Sequence, residues 1–496
     1  MEGKKAMNKT WNLKEMKKLI PLAFPVLVVN LSIVGMGAVD AIVAGGAGVT
    51  DMAAVALGSS VYLPVTLFAC GVLMIIGPVI ANMRGKSHES RVGYMTNHGL
   101  WLALMLSLVS MPVIYALRNV FGWISDDAAM CEMASAYMFA IMWGLPANLG
   151  FVALKSLNEG SNMTRPAMYV GICGLLLNIP LNYMFIFGMY GFPRMGGAGC
   201  GAATAVIFYI EFLLMFLLVY FNPKHRPYRR HIVSWRRPTP SVITHLVRLG
   251  VPIGISQLCE VMLFCAAALV LAPLGKTQVA SHQIAGNVGG LVFMLPLSVG
   301  LAASIRVAYH HGKKNVAGTR SAILSAYVLV LSICLCTIGG IILFREQIVH
   351  LYNDSEPVSY THLRAYQLPD CLQVLSVGVL RGFRDTASIS IITFVSYWMV
   401  GFPVCYILAR TDWIVPAMGA RGVWIGFIVG LTVAAVLLLW RVVRTTRREF
   451  VLMRRGGGES SPRRGRPGMF IFVYKRQVSV RAVSGYPRLP AGEPLP

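Results

Sequence analysis

Three carboxylates in this sequence lie inside long apolar stretches: Asp40 in VDAIVAGG, Glu260 in ISQLCEVMLF and Asp370 in YQLPDCLQV. A charge at the centre of a membrane helix costs about 2.5–3.5 kcal/mol on insertion scales, so acids placed there mark sites for ions or protons. Carboxylate oxygens suit a hard cation such as Na+, and the same group can take a proton instead. We therefore expect cation or proton chemistry here. For any single acid, the alternative is a buried carboxyl satisfied by neighbouring hydroxyls or amides.

The positions of the two later acids along their helices allow them to meet. At about 1.5 Å per residue, Glu260 lies about 22 Å from the helix end near His245, and Asp370 lies about 16 Å from Arg381. We assign Arg381 to a basic loop, RGFRD, and find no Lys or Arg within these stretches to pair with the acids. The sequence therefore predicts two unpaired acids at similar depth.

Signatures of catalysis are missing from the sequence. We find no HExxH, GxSxG, P-loop or GxGxxG motif, and the ten cysteines form no CxxC pair and no Cys/His cluster. These absences argue against an enzyme, a metal centre and a disulfide framework.

The acids lie in a chain with the composition of a polytopic membrane protein. Of its 496 residues, 56% are hydrophobic and only 13% are charged. A helix needs about 20 apolar residues to cross the bilayer, and the runs here are too long and continuous for the alternating strands of a barrel. We predict an all-α integral membrane protein of about twelve transmembrane helices. The expected spans are 17–44, 52–81, 95–117, 131–154, 164–187, 198–221, 245–272, 279–308, 317–343, 365–381, 387–409 and 417–440.

The formal charge of +24 suggests nucleic-acid binding at first sight, but the positions of Lys and Arg indicate membrane topology instead. Basic residues collect in alternate loops, whereas the loops at 45–51, 123–127 and 352–356 are small or acidic. This is the positive-inside pattern for an even number of spans with both termini in the cytoplasm. We expect no nucleic-acid partner. The basic segments are 4–18, 83–91, 223–237, 310–315, 381–385 and 441–448.

Two stretches in the first half of the chain have counterparts in the second half. Residues 39–60 parallel residues 267–288, and residues 153–172 parallel residues 375–394, with the long basic connector 222–241 between the halves. A repeat of six plus six helices predicts two pseudo-symmetric lobes that face each other across a central cavity, as in transporters that work by alternating access.

From about residue 12 to 448, the sequence resembles the multidrug and toxic compound extrusion (MATE) family, in its NorM-like bacterial branch. The resemblance implies a monomeric two-lobed antiporter of the bacterial cytoplasmic membrane. It would export small organic cations in exchange for Na+ or H+ and need no cofactor besides that coupling ion. The motifs that carry the resemblance are VDAIVAGG with DMAAVALGSS, LNEGSNMTRPAM, LLLNIPLNYMFIFG, GGAGCGAATA, VASHQIAGNVGGLVFMLPLSVGLAASIRV and LRGFRDT.

The resemblance also assigns roles to residues. In the C-terminal lobe, Glu260 and Asp370 match the acids that bind the coupling cation, Na+ or a proton, with Tyr366 one helical turn from Asp370. In the N-terminal lobe, the family uses a polar cluster for proton or substrate binding. Its counterparts here are Asp40, Asn178, Asn182 and Thr204.

Further residues are predicted to line the cavity or to bend helices. Gln283, Phe293 and Met294 are candidates for the cavity wall, although each also suits a helix-packing or lipid-facing position. Pro25 and Pro180 interrupt backbone hydrogen bonds and are candidate hinges or tolerated kinks. Glu211, a fourth acid in an apolar stretch, matches no family motif that we recognise, and we expect it to make a local polar contact.

The expected domain organisation follows from these patterns. It consists of an N-terminal arm 1–16, an N-terminal lobe 17–221, a basic linker 222–244, a C-terminal lobe 245–448 and a tail 449–496. Polar SYTHLRA at 359–365 stands where the family has an apolar stretch, so we expect a shortened tenth helix. The Gly-, Pro- and Arg-rich tail is predicted to be disordered, and it resembles translated adapter sequence.

A lipid-linked oligosaccharide flippase of the same superfamily is the alternative function. Such a protein would favour extra spans and a cationic cavity for a pyrophosphate group, whereas the predicted cavity acids attract cations. A membrane enzyme would need a catalytic constellation that the sequence lacks, and the two-fold repeat disfavours a receptor.

Overall fold

The computed structural model describes residues 13–123, 127–233, 237–343, 360–413 and 415–455, and every regular element in these ranges is helical. Ten helical segments among them are long and apolar enough to cross a bilayer, and a bent pair of helices makes eleven if it counts as one span. The predicted all-α membrane fold is confirmed. Most of the predicted N-terminal arm and the tail beyond residue 455 lie outside the described residues.

The described residues of the first half form eight α-helices. One break, at Trp143 and Gly144, bends the chain by 47° between the fifth and sixth helices. A Cβ added at Gly144 would lie 2.7 Å from the Cα of Ala205, so glycine allows the bent backbone to touch the eighth helix. The helices are α1 Leu13–Ala47, α2 Val49–Leu73, α3 Ile76–Gly85, α4 Ser90–Leu117, α5 Ala128–Met142, α6 Leu145–Gly160, α7 Arg165–Phe187 and α8 Gly197–Phe221.

The described residues of the second half also form eight α-helices. The first of them is short and lies in the predicted linker, and a π-helical turn, Val395–Gly401, joins two others into one span. The helices are α9 Arg226–Val233, α10 Pro240–Leu271, α11 Lys276–Gly312, α12 Val316–Leu343, α13 Tyr360–Phe383, α14 Thr386–Phe394, α15 Phe402–Arg410 and α16 Ala420–Arg455.

The predicted tenth span is where the structure differs from a simple count of twelve. Helix α13 occupies this place and is 24 residues long, because the backbone of residues 360–365 is helical. It is not apolar enough to qualify as a span, since its first turns carry the polar residues Thr361, His362 and Arg364. Its interior carries Gln367, Asp370 and Gln373. The helix is therefore longer than its apolar part.

Helices at corresponding places in the two halves pair in the same way. Helix α1 packs along α7 in the first half, as α10 packs along α14 in the second half. Likewise, α4 packs on α6 in the first half, as α12 packs on α13 in the second half. The halves also meet each other, through α2 against α10 and through α1 and α3 against α11. The chain up to Phe450 consequently groups as one unit by contacts. The lobe and linker boundaries stay a prediction.

The halves are in close contact at the end of the molecule where residues 82–85, 309–313 and 384 come together, which we call the basic end. A Cβ at Gly85 would overlap the carbonyl oxygen of Tyr309, and a Cβ at Gly312 would overlap that of Asn82. A second pair of glycines, Gly250 and Gly254, lies equally close to α2. Glycine is required at these positions because backbone of one half rests on backbone of the other.

Polar side chains reinforce this closure. Arg306 on α11 donates to Glu15 on α1 at 2.7 Å, and the ring of His310 lies 3.0 Å from the same guanidinium. Asn82 on α3 donates to the carbonyl of Ala308 at 3.1 Å. The basic end is therefore shut by packing and by buried hydrogen bonds.

A buried histidine joins the linker to the first half. His225 follows α8 in a short 3₁₀ turn, and its Nε2 donates to Oδ1 of Asn158 at 2.9 Å. Burial, together with the charge of Arg84, lowers the pKa of His225 from 6.5 to about 4. The folded protein thus holds this imidazole neutral under conditions in which an unfolded chain would protonate it.

We expect this histidine to make stability depend on pH. Its contribution is complete above the unfolded pKa of 6.5 and is lost as the pH falls toward about 4, because only the unfolded chain gains the proton. His225→Gln keeps a donor for Asn158 but cannot titrate. Thermal unfolding midpoints at about pH 7.5 and about pH 5 should therefore differ less for this variant than for the parent. The exposed His88→Gln is the comparison and should have a smaller effect, although burial and the charges of Arg91 and Lys86 also lower the pKa of His88; equal pH dependence in all three proteins would contradict the assignment.

Candidate functional site

The first-half site is built around one carboxylate on α1. Asp40 is 7% exposed, and its Oδ1 accepts hydrogen bonds from Nδ2 of Asn178 at 2.9 Å and of Asn182 at 2.6 Å. Its Oδ2 accepts from Thr204 on α8 at 3.2 Å. The structure thus brings together the four residues that the family resemblance grouped. Pro180 lies between the two asparagines on α7, where it removes one backbone donor from the helix.

Asp40 accepts three hydrogen bonds from neutral side chains, and among the described residues it forms no ion pair. The Oδ1 atoms of Asn178 and Asn182 are buried and accept no hydrogen bond, so acceptor oxygens surround Asp40. Such a site can hold a proton or a small cation. The start of α8 is fixed nearby by Asp51, whose Oδ1 accepts from the backbone N–H of Gly197 at 2.6 Å. This contact positions the helix that carries Thr204.

The second-half site lies between α10 and α13. Asp370 is 3% exposed and Tyr366, one turn earlier, is 6% exposed, while Glu260 is half-buried. Glu260 and Asp370 lie within electrostatic range of each other, and Tyr366 lies within range of both. One oxygen of Asp370 and the side-chain oxygen of Gln373 are buried without a hydrogen-bond partner. These oxygens fit a hard cation, which such oxygen ligands favour.

A cavity of about 1110 Å³ opens beside Glu260. Its wall combines α2 of the first half with α10, α11 and α13 of the second half, and it is predominantly apolar. Phe293 and Met294 line it, as do Glu260 and Tyr366, whereas Asp370 lies behind the wall. Asp40 does not line this cavity, so the two acidic sites are separate.

One expectation about charge is wrong. Arg381 is not in a basic loop but inside α13, where it is 6% exposed and lines the same cavity as Glu260. It acts electrostatically on Glu260 but forms no ion pair within 4.0 Å, and its Nε is buried without a partner. The loop assignment failed because α13 continues for two residues past Arg381, to Phe383.

Aromatic residues around the second-half site were also missed by sequence reasoning. Trp424 packs edge-on against Tyr366 at 5.6 Å between ring centroids and lies 5.9 Å from the ring of His282. Tyr397 is fully buried within range of both acids, in the π-helical turn. A histidine inside an apolar stretch, directly before Gln283, was a usable signal for His282. Nothing in the pattern around Trp424 or Tyr397 indicated their positions.

The remaining candidate residues from the sequence lie on α11, α1 and α8. Helix α11 includes Gln283, but its side chain lies outside what the structure describes. Pro25 lies within α1, which continues across it, and a hinge role stays a prediction. Glu211 is 4% exposed, packs against the backbone of Gly174 and lies within range of the Lys155 ammonium.

The fold and the cavity define a polytopic helical membrane protein with a central chamber between two halves. The sequence matches the MatE family over residues 25–184 and 252–407. The chain belongs to this family, the multidrug and toxic compound extrusion transporters.

Similar proteins include two multidrug resistance proteins of bacteria. The MdtK protein of Proteus mirabilis is 41% identical over 455 residues, which cover 89% of this chain and 98% of that protein. The NorM protein of Aliivibrio fischeri is 42% identical over 436 residues, which cover 87% of this chain and 95% of that protein. The NorM-like resemblance inferred from the motifs is confirmed.

Solved structures share the fold at lower identity. The eukaryotic MATE transporter AtDTX14 aligns with a TM-score of 0.79 at 20% identity and covers 89% of this chain and 99% of its own. An outward-facing multidrug resistance MATE family transporter of the MOP superfamily aligns with a TM-score of 0.76 at 21% identity, covering 88% and 96%.

Proposed function

We propose that this protein exports organic cations across the cytoplasmic membrane of a bacterium in exchange for Na+ or H+. The observation that carries the proposal is the cavity of about 1110 Å³ between the halves, which joins a large apolar wall to the carboxylate of Glu260. An apolar surface suits a hydrophobic compound, and Glu260, which lines the cavity together with the buried Arg381, supplies the acidic group that attracts a cation. The multidrug resistance relatives support the same substrate class.

The positions of the cavity and the closure support alternating access. The cavity is lined by Leu117, Val120 and Leu269, which lie near the helix ends opposite the basic end. The basic end is shut by the contacts of Gly85 and Gly312. If the basic loops face the cytoplasm, this conformation is open to the outside. Export then requires the closure to open and the opposite side to close.

Coupling to the ion is assigned to the two acidic sites. Glu260 and Asp370, with the free oxygen of Gln373 and the hydroxyl of Tyr366, would hold Na+ or share a proton. Asp40 and its amide partners would hold a proton or contact the substrate. A ligand moves the equilibrium between the two conformations only as far as it binds one of them better, so the coupling ion must prefer one opening.

Asp40→Asn is expected to reduce export by about tenfold or more while leaving insertion intact, because it removes charge without changing side-chain volume. Drug accumulation in cells that express equal amounts of each protein measures this. Asp127→Asn is the matched control, since Asp127 is an exposed helix cap where asparagine serves equally well. Parental resistance in cells that carry Asp40→Asn would remove Asp40 from the mechanism.

The test of the proposed function is efflux from membrane vesicles with imposed ion gradients. Cationic dye export should follow an inward Na+ or proton gradient and collapse when that gradient is dissipated. An anionic dye exported as efficiently as a cationic one, with no gradient dependence, would favour the flippase alternative instead.

A further inference from the structure

A second cavity, of about 490 Å³, lies at the basic end, away from the chamber between the halves. It is formed by the end of α13, the turn after it and the last turns of α16 that precede residue 450. Four arginines and two acids line it: Arg384, Arg441, Arg444, Arg448, Asp385 and Glu449. Four positive groups against two negative ones leave two positive charges in excess.

Both acids in this basic pocket already have partners. Arg441 donates to Oδ2 of Asp385 at 2.7 Å, and Ser388 and Thr445 donate to the same carboxylate at 2.7 and 3.0 Å. Burial alone would raise the pKa of Asp385, but these hydrogen bonds hold it below its usual range. Glu449 lies 3.0 Å from the ring of His311. Within the described residues, neither carboxylate forms an ion pair with Arg384, Arg444 or Arg448.

Three of the arginines therefore form no ion pair within the described part of the chain. Arg384 donates only to the amide oxygen of Asn82, at 2.7 Å, and its Nε is buried without a partner. Arg444 lies over the ring of Trp440 at 5.3 Å, and Arg448 is exposed. Guanidinium groups that converge on one pocket and hold no carboxylate themselves form a geometry suited to phosphate oxygens.

The surface beside the pocket is apolar. On α16, Val436 is 61% exposed, Trp440 is 55% exposed and Val443 is 43% exposed, and these positions share one face of the helix. They lead along the span from the pocket toward the hydrocarbon. Trp at this level is typical of the membrane interface, where its ring meets both headgroups and acyl chains.

We propose that the basic pocket binds the phosphate headgroup of an anionic phospholipid, whose acyl chains lie along the exposed face of α16. Pockets of this composition between membrane helices suit anionic headgroups. The occupant would touch Arg384, which also contacts Asn82 of the first half, so a bound lipid borders the closure between the halves. This site is independent of the nature of the exported compound.

The test measures binding of a short-chain phosphatidylglycerol to the purified full-length protein by native mass spectrometry. Arg444→Gln combined with Arg448→Gln should weaken that binding by about tenfold. Arg447→Gln combined with Arg320→Gln removes the same charge from exposed positions outside the pocket and should leave it within about twofold of the parent. Thermal unfolding of each variant checks that the fold is retained. We expect it to be, because all four substituted arginines are exposed.

Three further results decide the proposal. Phosphatidylcholine of the same chain length should bind equally to all variants, because its headgroup carries no net charge. If inorganic phosphate binds the pocket without reducing phosphatidylglycerol binding, the lipid lies elsewhere and the lipid assignment is overturned. Equal loss of phosphatidylglycerol in the control pair would show that general surface charge is responsible and would overturn the site.

Discussion

Glu260→Gln is expected to reduce ion-driven export by about tenfold or more while weakening drug binding far less. The substitution keeps the shape of the side chain and removes its charge from the cavity wall. Asp370 and the oxygens of Gln373 and Tyr366 then remain without the second carboxylate, and a bound cation loses one of two negative neighbours. In the proposed exchange, the ion drives the conformational change through its differential affinity, so losing the ion site would uncouple ion movement from drug export.

The measurement is drug efflux from reconstituted vesicles under an imposed Na+ or pH gradient, alongside equilibrium drug binding. Glu132→Gln is the matched control, since it makes the same chemical change at an exposed position on α5. Export by Glu260→Gln at the parental rate, with the same dependence on the gradient, would show that this residue is not the coupling group.

Gly85→Ala is expected to prevent the basic end from closing. Its added Cβ would overlap the carbonyl oxygen of Tyr309 and meet the Cα of Gly312, which are backbone atoms that cannot rotate away. Overpacking of this kind costs about 1–3 kcal/mol, and here the cost falls only on the conformation in which the two halves touch. The closed state should lose population by about fivefold to a hundredfold, with export falling accordingly.

Distances between spin labels placed on the first and second halves at the basic end would report this shift. Gly37→Ala is the control, because Gly37 also lies in a helix but a Cβ there meets nothing within 4 Å. Unchanged distances together with parental export in Gly85→Ala would show that the closure tolerates a side chain and that its tight packing has no role in the cycle.

Much of the architecture could be predicted from local properties of the sequence. Long apolar runs dictate helices in a membrane, because no other open structure satisfies the backbone there. The acids stood out for the same reason, since a charge in such a run is costly. Asn178 and Asn182 were placed on one face of α7 by their spacing, and the structure directs both to Asp40.

Other features depend on where helices end and which helices meet. Arg381 looked like a loop residue because it follows an apolar run and precedes a second arginine, and only the continuation of α13 buries it. The glycine contacts at Gly85 and Gly312 have no local signature, since their need for glycine comes from the opposite half of the molecule. The pairing of Glu15 with Arg306 likewise joins residues almost 300 positions apart.

The unpaired guanidinium of Arg381 has a consequence for the stoichiometry of exchange. With both carboxylates ionised, Glu260, Asp370 and Arg381 sum to one negative charge, so a single monovalent cation makes this region electrically neutral. A second cation would then enter a region of no net attraction inside a predominantly apolar cavity, which is unfavourable. Drug and coupling ion would thus exclude each other by charge balance alone, even where they do not overlap in space. One-for-one exchange of monovalent cations is the stoichiometry that this charge count favours.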